Sequence, residues 1–598
     1  MSRRRFAVPW VATVTTGILV IGLAGCSSDN QDQPSQRGAA ASSPLSPDKI
    51  PVVVNAVEPS RELLPADVSG DFGTRIASLI YRGLLRYDPK GRLVNEVAED
   101  VSQSSPTLYT VKVRKGWVFG NGQPVTAASF VDAWNYAANP AHKQLHADHF
   151  SPISGYRAMR GLPEPDPEVP PGGTPGSSPT SSRPSASPAH SAPSSPAPTP
   201  SGGGKSGPGT VDPAKRPTVL TGLTLVNDLE FTIQLAVPDA TFRDRLALLS
   251  YSPLPSAALK DPATYAAAPV GNGPYQLAGG WAPGKEARLI PNASYSGGEP
   301  THNGGLTFRF FPDPAMTYPQ LRSGRLDALD AMPLPDVGRY KSDLGFRALN
   351  QSVGATTSLV FPMSAKPWST PDGLALRKAI SRSIDRASLA GGLYAGTRAP
   401  ASDLAAPVVA GYSPDLCGDT CRFDAAAAKE MVGKLKDPPT SLQIAYAADA
   451  GGLPVVEALC SQITQATGIE CTGHPFPSAA TLARVVAKHE LAMPLLDTRR
   501  MVRPDLGGFL DPRFRADASD NPSGYDGAAA QTWLEKASAT KDSEGRRQAY
   551  KEAEKAILED LPEIPLWYVN STVGWGERMQ PVKIDVFGAP IYSELSRS

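Results

Sequence analysis

Three histidines stand close together in this chain, at spacings that would place them on one side of a helix. His142, His146 and His149 are separated by four and three positions, and Asp148 lies among them. Residues at such spacings share one helical face, and imidazole is a favoured ligand of Ni, Cu and Zn. The sequence therefore offers a candidate site for a divalent metal or a metal chelate. Exposed histidines on a helix or loop are the alternative interpretation.

The sequence patterns that accompany enzymatic catalysis are missing. The chain has no Gly-x-Ser-x-Gly nucleophile turn, and His489-Glu490 lacks the second histidine of a His-Glu-x-x-His zinc motif. We therefore expect no catalytic residues and no cofactor, and we predict that the protein is not an enzyme. A secreted hydrolase is the rival interpretation.

Four cysteines fall in two close pairs, Cys417 with Cys421 and Cys460 with Cys471. An even number of cysteines in an exported protein is typical of disulfides, and short loops favour bonding within each pair. We predict these two local disulfides. A zinc site would need tighter spacing on both sides, and a redox pair would need a helix start rather than a Gly/Asp turn.

A fifth cysteine, Cys26, follows a short apolar segment near the amino terminus. Three arginines precede the apolar residues 7–22, and Leu23-Ala24-Gly25 leads into Cys26. This order is typical of a secretory signal peptide and resembles a bacterial lipobox, in which the cysteine is lipidated. We predict a signal peptide over residues 1–25, lipidation of Cys26 and a flexible tether over residues 26–50. An ordinary cleavage site is the alternative.

The predicted lipid would hold the protein at the extracytoplasmic face of the cell membrane. The arginines also resemble a twin-arginine export signal, so the route of export stays open. No later apolar run reaches the length of a membrane span. We therefore expect one lipid contact and a monomeric, soluble body.

The composition agrees with a globular body. Apolar residues make up 41% of the 598 residues and charged residues 19%, and the 58 Lys and Arg balance the 58 Asp and Glu. Without a basic excess, binding to nucleic acid is not expected. Residues 162–217 differ, because proline, serine and glycine dominate them. We predict that they form a disordered surface loop inserted into a domain.

The remaining segments alternate between strand and helix patterns. Apolar and polar residues alternate around Tyr109, Phe231 and Phe308, which predicts strands with one wet face. Helical spacing occurs at residues 376–384 and over residues 543–561, where a proline follows. The mixture predicts an α/β architecture of several lobes.

Several separated segments together resemble the family 5 extracellular solute-binding proteins of ABC importers, which include oligopeptide-, dipeptide- and nickel-binding lipoproteins. The resemblance runs from about residue 51 to 598, and the order of its pieces makes it specific. The pieces are Asn55-Ala56-Val57-Glu58-Pro59-Ser60, residues 80–88 (IYRGLLRYD), residues 96–100, residues 113–130 (VRKGWVFGNGQPVTAASF), Gly271-Asn272-Gly273-Pro274-Tyr275, Trp281, Asn292, Tyr295, residues 323–327 (SGRLD), residues 377–386 (RKAISRSIDR) and residues 561–566 (LPEIPL).

Local physics accounts for part of this signature. Asn121-Gly122 predicts a turn in which a positive φ is tolerated. Thr126 predicts the amino-terminal cap of a helix that begins at Ala127.

The resemblance implies a fold like that of the type II periplasmic binding proteins, with two main lobes, built from three subdomains, around a ligand cleft. Lobe I would comprise residues 51–75, 218–333 and 560–598, the inserted subdomain II residues 76–217, and lobe III residues 334–559. A ligand enclosed by hinge closure would be delivered to an ABC permease in the membrane.

The chain departs from its peptide-binding relatives where they hold the ligand's amino terminus. Those relatives carry Ala-Asp-Tyr-x-Asp-Pro-x-x-Phe-Leu, and residues 501–510 here read MVRPDLGGFL, so Val502 replaces the amine-binding aspartate and Arg503 the tyrosine. An ammonium group buried without a carboxylate would be costly. Either Asp505 or Glu58 supplies the negative charge, or the ligand is not held by a free amine.

Arginines and aromatic residues complete the candidate binding site. Arg499, Arg500 and Arg503 could bind carboxylates or phosphates, so an anionic ligand is a further possibility and a solvated loop the alternative. Aromatic residues could wall the pocket, although they belong more often to lobe cores. The aromatic candidates are Tyr81, Phe150, Tyr275 and Trp368.

We predict a lipid-anchored receptor that captures peptides or similar small solutes for an ABC permease. A metal-chelate or anionic-solute receptor of the same fold is one alternative. A surface signalling lipoprotein that no longer transports is the other.

Overall fold

A computed structural model describes residues 49–163, 216–279 and 284–598. The predicted signal peptide, Cys26, nearly all of the tether, most of the predicted Pro/Ser/Gly loop and Trp281 lie outside the described residues. Within those ranges, no helix combines the length and apolar character needed to cross a bilayer.

The strands of the described ranges are β1 (Val52–Ala56), β2 (Leu85–Tyr87), β3 (Leu93–Asn95), β4 (Ala98–Ser105), β5 (Leu108–Val113), β6 (Leu223–Asn227), β7 (Glu230–Gln234), β8 (Tyr275–Leu277), β9 (Glu286–Pro291), β10 (Leu306–Phe310), β11 (Ala328–Leu329), β12 (Ala348–Val360), β13 (Arg398–Pro400), β14 (Ser441–Ala447), β15 (Glu470–Phe476), β16 (Leu495–Arg500) and β17 (Glu563–Trp575).

The α-helices of the same ranges are α1 (Gly70–Ile80), α2 (Ala127–Ala138), α3 (Tyr156–Met159), α4 (Phe242–Arg245), α5 (Ser256–Lys260), α6 (Pro262–Ala267), α7 (Thr317–Arg322), α8 (Tyr340–Leu344), α9 (Gly373–Arg382), α10 (Arg386–Tyr394), α11 (Ala425–Gly433), α12 (Leu453–Thr467), α13 (Ala479–Ala487), α14 (Leu506–Phe514), α15 (Ala528–Ala539) and α16 (Ser543–Asp560).

One mixed sheet runs through the molecule in the order β15-β14-β16-β12-β17-β11-β1-β10-β9-β8, with β13 paired to β17 beside this path. A second, antiparallel sheet has the order β4-β5-β7-β6, and β2 pairs with β3. Helices and strands mix throughout, as the sequence predicts.

Two lobes, each with its own hydrophobic core, share the main sheet. The first lobe comprises the described residues up to 347 together with residues 576–598, and the second lobe comprises residues 361–562. Strands β12 and β17 are antiparallel partners that run from one lobe to the other. Val573 and Trp575 of β17 pack in the core of the first lobe, whereas Ile564 and Leu566 pack in that of the second.

The register between the two crossing strands shifts twice, between Ser352 and Thr356 and between Thr357 and Ser358 of β12. Irregularities of this kind interrupt the ladder of hydrogen bonds. They lie between the parts of β17 that pack in the two cores.

The second sheet spans a boundary that the sequence predicts. Strands β6 and β7 pair with each other, and β7 pairs with β5, so this sheet joins residues on both sides of residue 217. The boundary predicted at residue 76 falls inside α1, and one hydrophobic core continues across it. The bounds of the inserted subdomain stay a prediction.

Local predictions from the signature are confirmed. Gly122 has a φ of +83°. The Thr126 side chain accepts a hydrogen bond from the Ser129 N–H, and the Ser129 hydroxyl accepts one from the Thr126 N–H, which closes the first turn of α2. The predicted strands are present as β5, β7 and β10 and the predicted helices as α9 and α16, although α9 ends at Arg382, before Ile384.

Both predicted disulfides are present. Cys417 and Cys421 have Cα atoms 5.6 Å apart, and Cys460 and Cys471 have Cα atoms 4.7 Å apart. The first closes a short turn before α11, and the second joins α12 to β15 in the second lobe.

A carboxylic acid is buried in the core of the second lobe. Glu554 of α16 is fully buried, and its Oε1 accepts a hydrogen bond of 2.9 Å from the Ala405 N–H. Burial raises the pKa of Glu554 to about 7; the Ala405 hydrogen bond opposes this rise, and the nearby Asp403 carboxyl adds to it. The side chain therefore titrates near neutral pH in the folded protein.

Replacing Glu554 with glutamine tests this buried acid. The pKa in the folded state lies above the ordinary value of 4.5, so between these values the folded protein retains a proton that the unfolded chain has lost. Stability therefore falls as the pH rises through this window and levels off above about pH 7. Relative to wild type, Glu554→Gln should therefore become more stable between pH 5 and pH 8. The change in the difference between their melting temperatures should correspond to about 1–3 kcal/mol in the free energy of unfolding.

Glu559→Gln is the matched control, because Glu559 lies on the same helix but is exposed. Its melting profile should stay parallel to that of wild type. A parallel profile for Glu554→Gln as well would contradict the raised pKa.

Candidate functional site

Strand β16 and the loop after it bring charged side chains of the second lobe to the crossing strands. Arg500 at the end of β16 is paired in register with Ala355 of β12. The Met501 N–H then donates a hydrogen bond of 2.8 Å to the Gly354 carbonyl. A Cβ at position 354 would overlap the Met501 side chain, so glycine permits this close approach where the register shifts.

An ion pair crosses from one lobe to the other at this point. Arg500 Nε donates a hydrogen bond of 2.8 Å to Oδ2 of Asp71, which lies in the first turn of α1 in the first lobe. Further contacts join the lobes nearby: the Ser519 N–H donates to Asp148 Oδ2 at 3.4 Å, and the Ala240 N–H donates to the Ser538 carbonyl at 2.7 Å. The two lobes are therefore in direct contact.

Asp71 lies where the two lobes meet. Its side chain is 54% exposed; burial would raise its pKa, but the guanidinium groups of Arg500 and Arg75 outweigh burial and lower the pKa. We call the region around the Asp71–Arg500 pair, between the two lobes, the crevice and take it as the candidate site.

The first-lobe wall of this crevice is mainly acidic. Arg75, one turn after Asp71, forms an ion pair with Asp330, and Tyr592 Oη donates a hydrogen bond of 2.8 Å to the same carboxylate. Asp585 lies close enough to Arg75 to be influenced by its charge, and burial raises the pKa of Asp585. Its Oδ1 accepts hydrogen bonds from the N–H groups of Phe587 and Ala589, but no ion-pair partner for it occurs among the described residues.

The opposite wall is basic, and one of its cations lacks a carboxylate partner. Arg398 of β13 donates to the backbone carbonyls of Thr397 and Asn570 and lies over the Tyr394 ring. Burial lowers the pKa of Arg398 to about 10, the Tyr394 hydroxyl opposes this shift, and the nearby Arg500 adds to it. Among the described residues, no carboxylate forms an ion pair with Arg398.

Arg499 is neutralised within the second lobe. Its Nη2 donates a hydrogen bond of 2.9 Å to Asp520, and Asp497 lies 3.5 Å away. Asp497 in turn accepts a hydrogen bond of 2.7 Å from Arg513, which is buried and also forms an ion pair with the buried Glu563. Arg513 therefore belongs to the scaffold that holds Asp497 and Arg499 at the crevice.

Arg503 is a core residue rather than a ligand-facing one. It is 1% exposed, and its Nη2 donates a hydrogen bond of 3.1 Å to Asp511, which also accepts one from Tyr550. Asp505 caps α14 by accepting a hydrogen bond from the Gly508 N–H and lies 3.8 Å from Arg503. Both charges of this candidate pair thus have partners within the second lobe.

The four aromatic candidates lie in lobe cores and not at the boundary between the lobes. Each is at most 3% exposed. Tyr81 contacts the Tyr265 hydroxyl, Tyr275 donates to Asn303, Phe150 packs against Trp134, and Trp368 packs against Phe361. These contacts leave no free aromatic surface for a ligand.

Glu58 is exposed and accepts a hydrogen bond of 2.6 Å from the Gly284 N–H, within the first lobe. Val502, which replaces the family's amine-binding aspartate, is 40% exposed beside Arg503. Glu58 and Asp505 stay candidates for the negative charge, and Asp71 and Asp585 are further carboxylates that the sequence did not single out.

The three histidines do not form a metal site. His142 ends the 3₁₀ turn Pro140–His142, whereas His149 lies on the turn Ala147–Phe150, which His146 directly precedes, so the three do not share one helix. One ring nitrogen of each histidine contacts another protein group. These partners are the Tyr136 carbonyl for His142, the Val68 carbonyl for His146 and the Ser250 hydroxyl for His149. Burial and the nearby His146 lower the pKa of His149 to about 3. No group of metal-ligating residues occurs among the described residues.

A groove of about 420 Å³ lies elsewhere, in the first lobe alone, and includes Arg61, Asp67, Tyr136 and His142 in its lining. In its lining Arg61 pairs with Asp67 and His142 stacks on Tyr136, whereas Glu62 has no ion-pair partner among the described residues. This groove involves one lobe alone, whereas the Asp71–Arg500 pair joins both lobes, so we take the region of that pair as the candidate site.

A comparison with models of protein families identifies the family of this chain. The model of the bacterial extracellular solute-binding proteins, family 5 (Middle), matches residues 92–497. The chain belongs to the family 5 extracellular solute-binding proteins. The resemblance seen in the sequence is thereby confirmed.

Two curated family 5 relatives bind peptides according to their names. The oligopeptide-binding protein OppA of Bacillus subtilis (strain 168) is 20% identical over 604 residues, which is 97% of each chain. The probable D,D-dipeptide-binding periplasmic protein DdpA of Escherichia coli (strain K12) is 25% identical over 308 residues, which is 50% of this chain and 57% of DdpA. The second match therefore spans little more than half of that relative.

Solved structures of family 5 proteins share the fold. The Escherichia coli murein tripeptide binding protein MppA superposes with a TM-score of 0.74 at 17% identity, over 92% of this chain and 98% of MppA. The predicted type II periplasmic-binding-protein fold is thus confirmed.

Sequence reasoning did not single out Asp71, Arg398 or Asp585. They come from three distant segments of the chain. Arg500 was identified because it lies in a cluster of arginines. A lone charge beside a turn, such as Asp585, carries no comparable signal.

The division between scaffold and crevice can be tested on two neighbouring arginines. Arg513→Ala leaves the buried Glu563 without a partner, and breaking such a pair lowers the free energy of unfolding by about 3–5 kcal/mol. Arg499→Ala should lower it by less than about 1 kcal/mol, because Asp520 is half exposed and remains hydrated. Urea unfolding of both variants measures the difference, and equal losses would contradict the assignment.

Proposed function

We propose that this family 5 protein binds peptides or similar small zwitterionic solutes in the crevice between its lobes and passes them, chemically unaltered, to an ABC permease. The observation that carries this proposal is the pair of unmatched charges, Asp585 on the first-lobe wall and Arg398 on the opposite wall. The pKa of Asp71 is influenced by both Arg75 and Arg500, Asp585 is near Arg75, and Arg398 is near Arg500. These neighbours support placing Asp585 and Arg398 on the two sides of the Asp71–Arg500 pair.

A zwitterion supplies what each wall lacks. Its ammonium group can donate to the carboxylates of Asp585 and Asp71, and its carboxylate can accept hydrogen bonds from Arg398. An ionised group in a desolvated site is unfavourable without a partner, and hydrogen bonds to charged groups contribute about 1.5–3 kcal/mol each. The carboxylates of the first lobe would thus replace the aspartate that is absent at Val502.

The ligand must supply most of the free energy of closure. Exposed ion pairs contribute about 0–1 kcal/mol, and Asp71 in the Asp71–Arg500 pair is half exposed, so this pair alone holds the lobes together weakly. A solute that touches both walls binds only the closed form. Its binding therefore shifts the protein molecules from the open form toward the closed form.

An anionic solute is the second candidate, favoured by the unpaired Arg398 and by the valine at position 502. Such a ligand would use Arg398 without requiring Asp585. Peptide derivatives with one end blocked separate the two candidates.

We also infer that Cys26 carries the lipid that holds the protein at the extracytoplasmic face of the membrane, on the basis of the lipobox-like sequence. Replacing Cys26 with alanine should move the protein from the membrane fraction to the soluble fraction of cells. An unchanged membrane fraction would contradict lipid anchoring at this residue.

Calorimetric titration with a library of short peptides tests the binding proposal. For the peptide that binds best, Asp585→Asn should weaken binding of the free peptide at least tenfold but leave the affinity for its N-acetylated form almost unchanged. Arg398→Met should weaken binding of the free peptide at least tenfold but leave the affinity for its carboxyl-terminally amidated form almost unchanged. Arg398→Lys should restore part of the affinity for the free peptide. Each effect follows from removing one partner of a charge-assisted hydrogen bond.

Lys434→Met is the matched control, because Lys434 is exposed on the second lobe and pairs only with Glu430. It should bind like wild type. Binding that requires a free carboxylate but not a free amine would favour the anionic solute, and no saturable binding of any peptide or anion would contradict the receptor proposal.

A further inference from the structure

One end of the main sheet gathers cationic side chains around an exposed phenylalanine. Strands β1, β11 and β12 begin at this end and β17 finishes there, as the pairs Val54–Ala328, Ala328–Trp575 and Ala348–Gly574 show. Three turns of the first lobe therefore lie side by side at this edge, at residues 323–327, 345–347 and 576–578.

Phe346 is the most exposed large apolar side chain of the described residues, with 83% of its surface accessible. It lies on the 3₁₀ turn Gly345–Arg347, which Gly345 enters with a φ of +59°. A single exposed apolar residue is ordinary on a protein surface. Phe346 is of interest because cationic side chains surround it.

The side chains around Phe346 are predominantly positive. We call this surface the basic face; it consists of Arg322, Arg325, Lys341, Phe346, Arg347 and Arg578.

Several contacts hold the basic face together. Arg322 donates to Asp343 at 2.8 Å, which joins α7 to α8. Arg347 Nη1 donates to the Trp575 carbonyl at 3.2 Å, and a Cβ on Gly324 would lie 3.8 Å from Arg578. The segments that carry these charges are thus neighbours in space.

The negative groups nearby do not cancel this charge. Asp343 is matched by Arg322, and Glu577, 3.6 Å from Arg347, is 85% exposed. Asp327, in the turn 323–327, is likewise matched by Arg597 at 2.7 Å. The five cations of the basic face therefore leave a positive excess, although the whole chain has a formal net charge of zero.

The described chain also begins at this end of the sheet. The Gly304 N–H donates to the Ile50 carbonyl just before β1 starts at Val52. Residues 27–48, which separate Cys26 from Lys49, therefore join the body at the edge that carries the basic face.

We propose that the basic face lies against a bilayer surface that contains anionic lipid headgroups. The proposal extends the inferred lipid attachment at Cys26, because an anchor at this end would bring the same face toward the membrane. A lipid chain combined with a basic patch holds a protein at a bilayer more durably than a single chain alone, and lysine and arginine near an anionic surface add attraction that falls off within a Debye length. Phe346 would enter the headgroup region, where aromatic rings are favoured.

This orientation has a consequence for closure. Every residue of the basic face belongs to the first lobe. The membrane would hold that lobe, while the second lobe stays free to swing on the crossing strands.

Vesicle sedimentation tests the proposal without the lipid anchor. The body from residue 46 onward forms one compact unit, and a melting curve checks that it folds when expressed alone. At low salt it should bind vesicles with 30% phosphatidylglycerol at least fivefold more strongly than pure phosphatidylcholine vesicles, and 0.5 M NaCl should abolish the difference. Arg325→Glu combined with Lys341→Glu should reduce binding at least fivefold, and Phe346→Ser at least twofold.

The matched control is Lys112→Glu with Lys115→Glu, which reverses two exposed charges in the insertion of the first lobe. It should bind vesicles like wild type. Equal binding to both kinds of vesicle, or an equal loss in the control, would overturn the proposal, as would a body that binds neither. Because ligand binding is measured separately by calorimetry, such a failure with normal peptide affinity would leave the receptor function intact.

Discussion

The pairing of β12 with β17 is the interaction on which the rest of the structure depends. Each strand contributes side chains to the cores of both lobes, so neither core is complete without the pair. The same pair is irregular at its centre, where two register shifts interrupt the ladder of hydrogen bonds. Under our proposal, the lobes close around a solute by movement at this irregular part of the pair.

Charge distinguishes the crevice from the rest of the interior. Most buried arginines have a nearby acceptor: Arg513 pairs with Glu563, Arg503 with Asp511, and Arg386 donates to backbone carbonyls. Such groups fix the scaffold. Arg398, like Arg386, is held by backbone carbonyls, and Asp585 accepts hydrogen bonds from backbone N–H groups; neither Arg398 nor Asp585 has an ion-pair partner among the described residues. Our proposal is that a charged solute supplies those partners.

The sequence predicted much of the fold but little of the site. Strands, the α2 cap, the Gly122 turn and both disulfides follow from local rules, because a hydroxyl at a helix start or two nearby cysteines depend on a few neighbouring residues. The boundary at residue 217 was placed by composition alone, which carries no sign that β7, after the Pro/Ser/Gly stretch, pairs with β5. Tyr81, Phe150, Tyr275 and Trp368 were chosen by residue type alone, and burial places all four in cores. Asp71, Arg398 and Asp585 meet only through tertiary topology, which no spacing in the sequence reveals.

The distance between the lobes is the most direct test of closure. Spin labels at positions 115 and 434, which are exposed on the first and second lobes, would report that distance. The measurement is pulsed electron–electron double resonance on the body from residue 46 onward. A saturating peptide should narrow the distribution and shift it to shorter distances, whereas a label pair within the second lobe, at positions 434 and 490, should not respond. An unchanged distribution between the lobes, with a peptide that calorimetry shows to be bound, would contradict capture by closure.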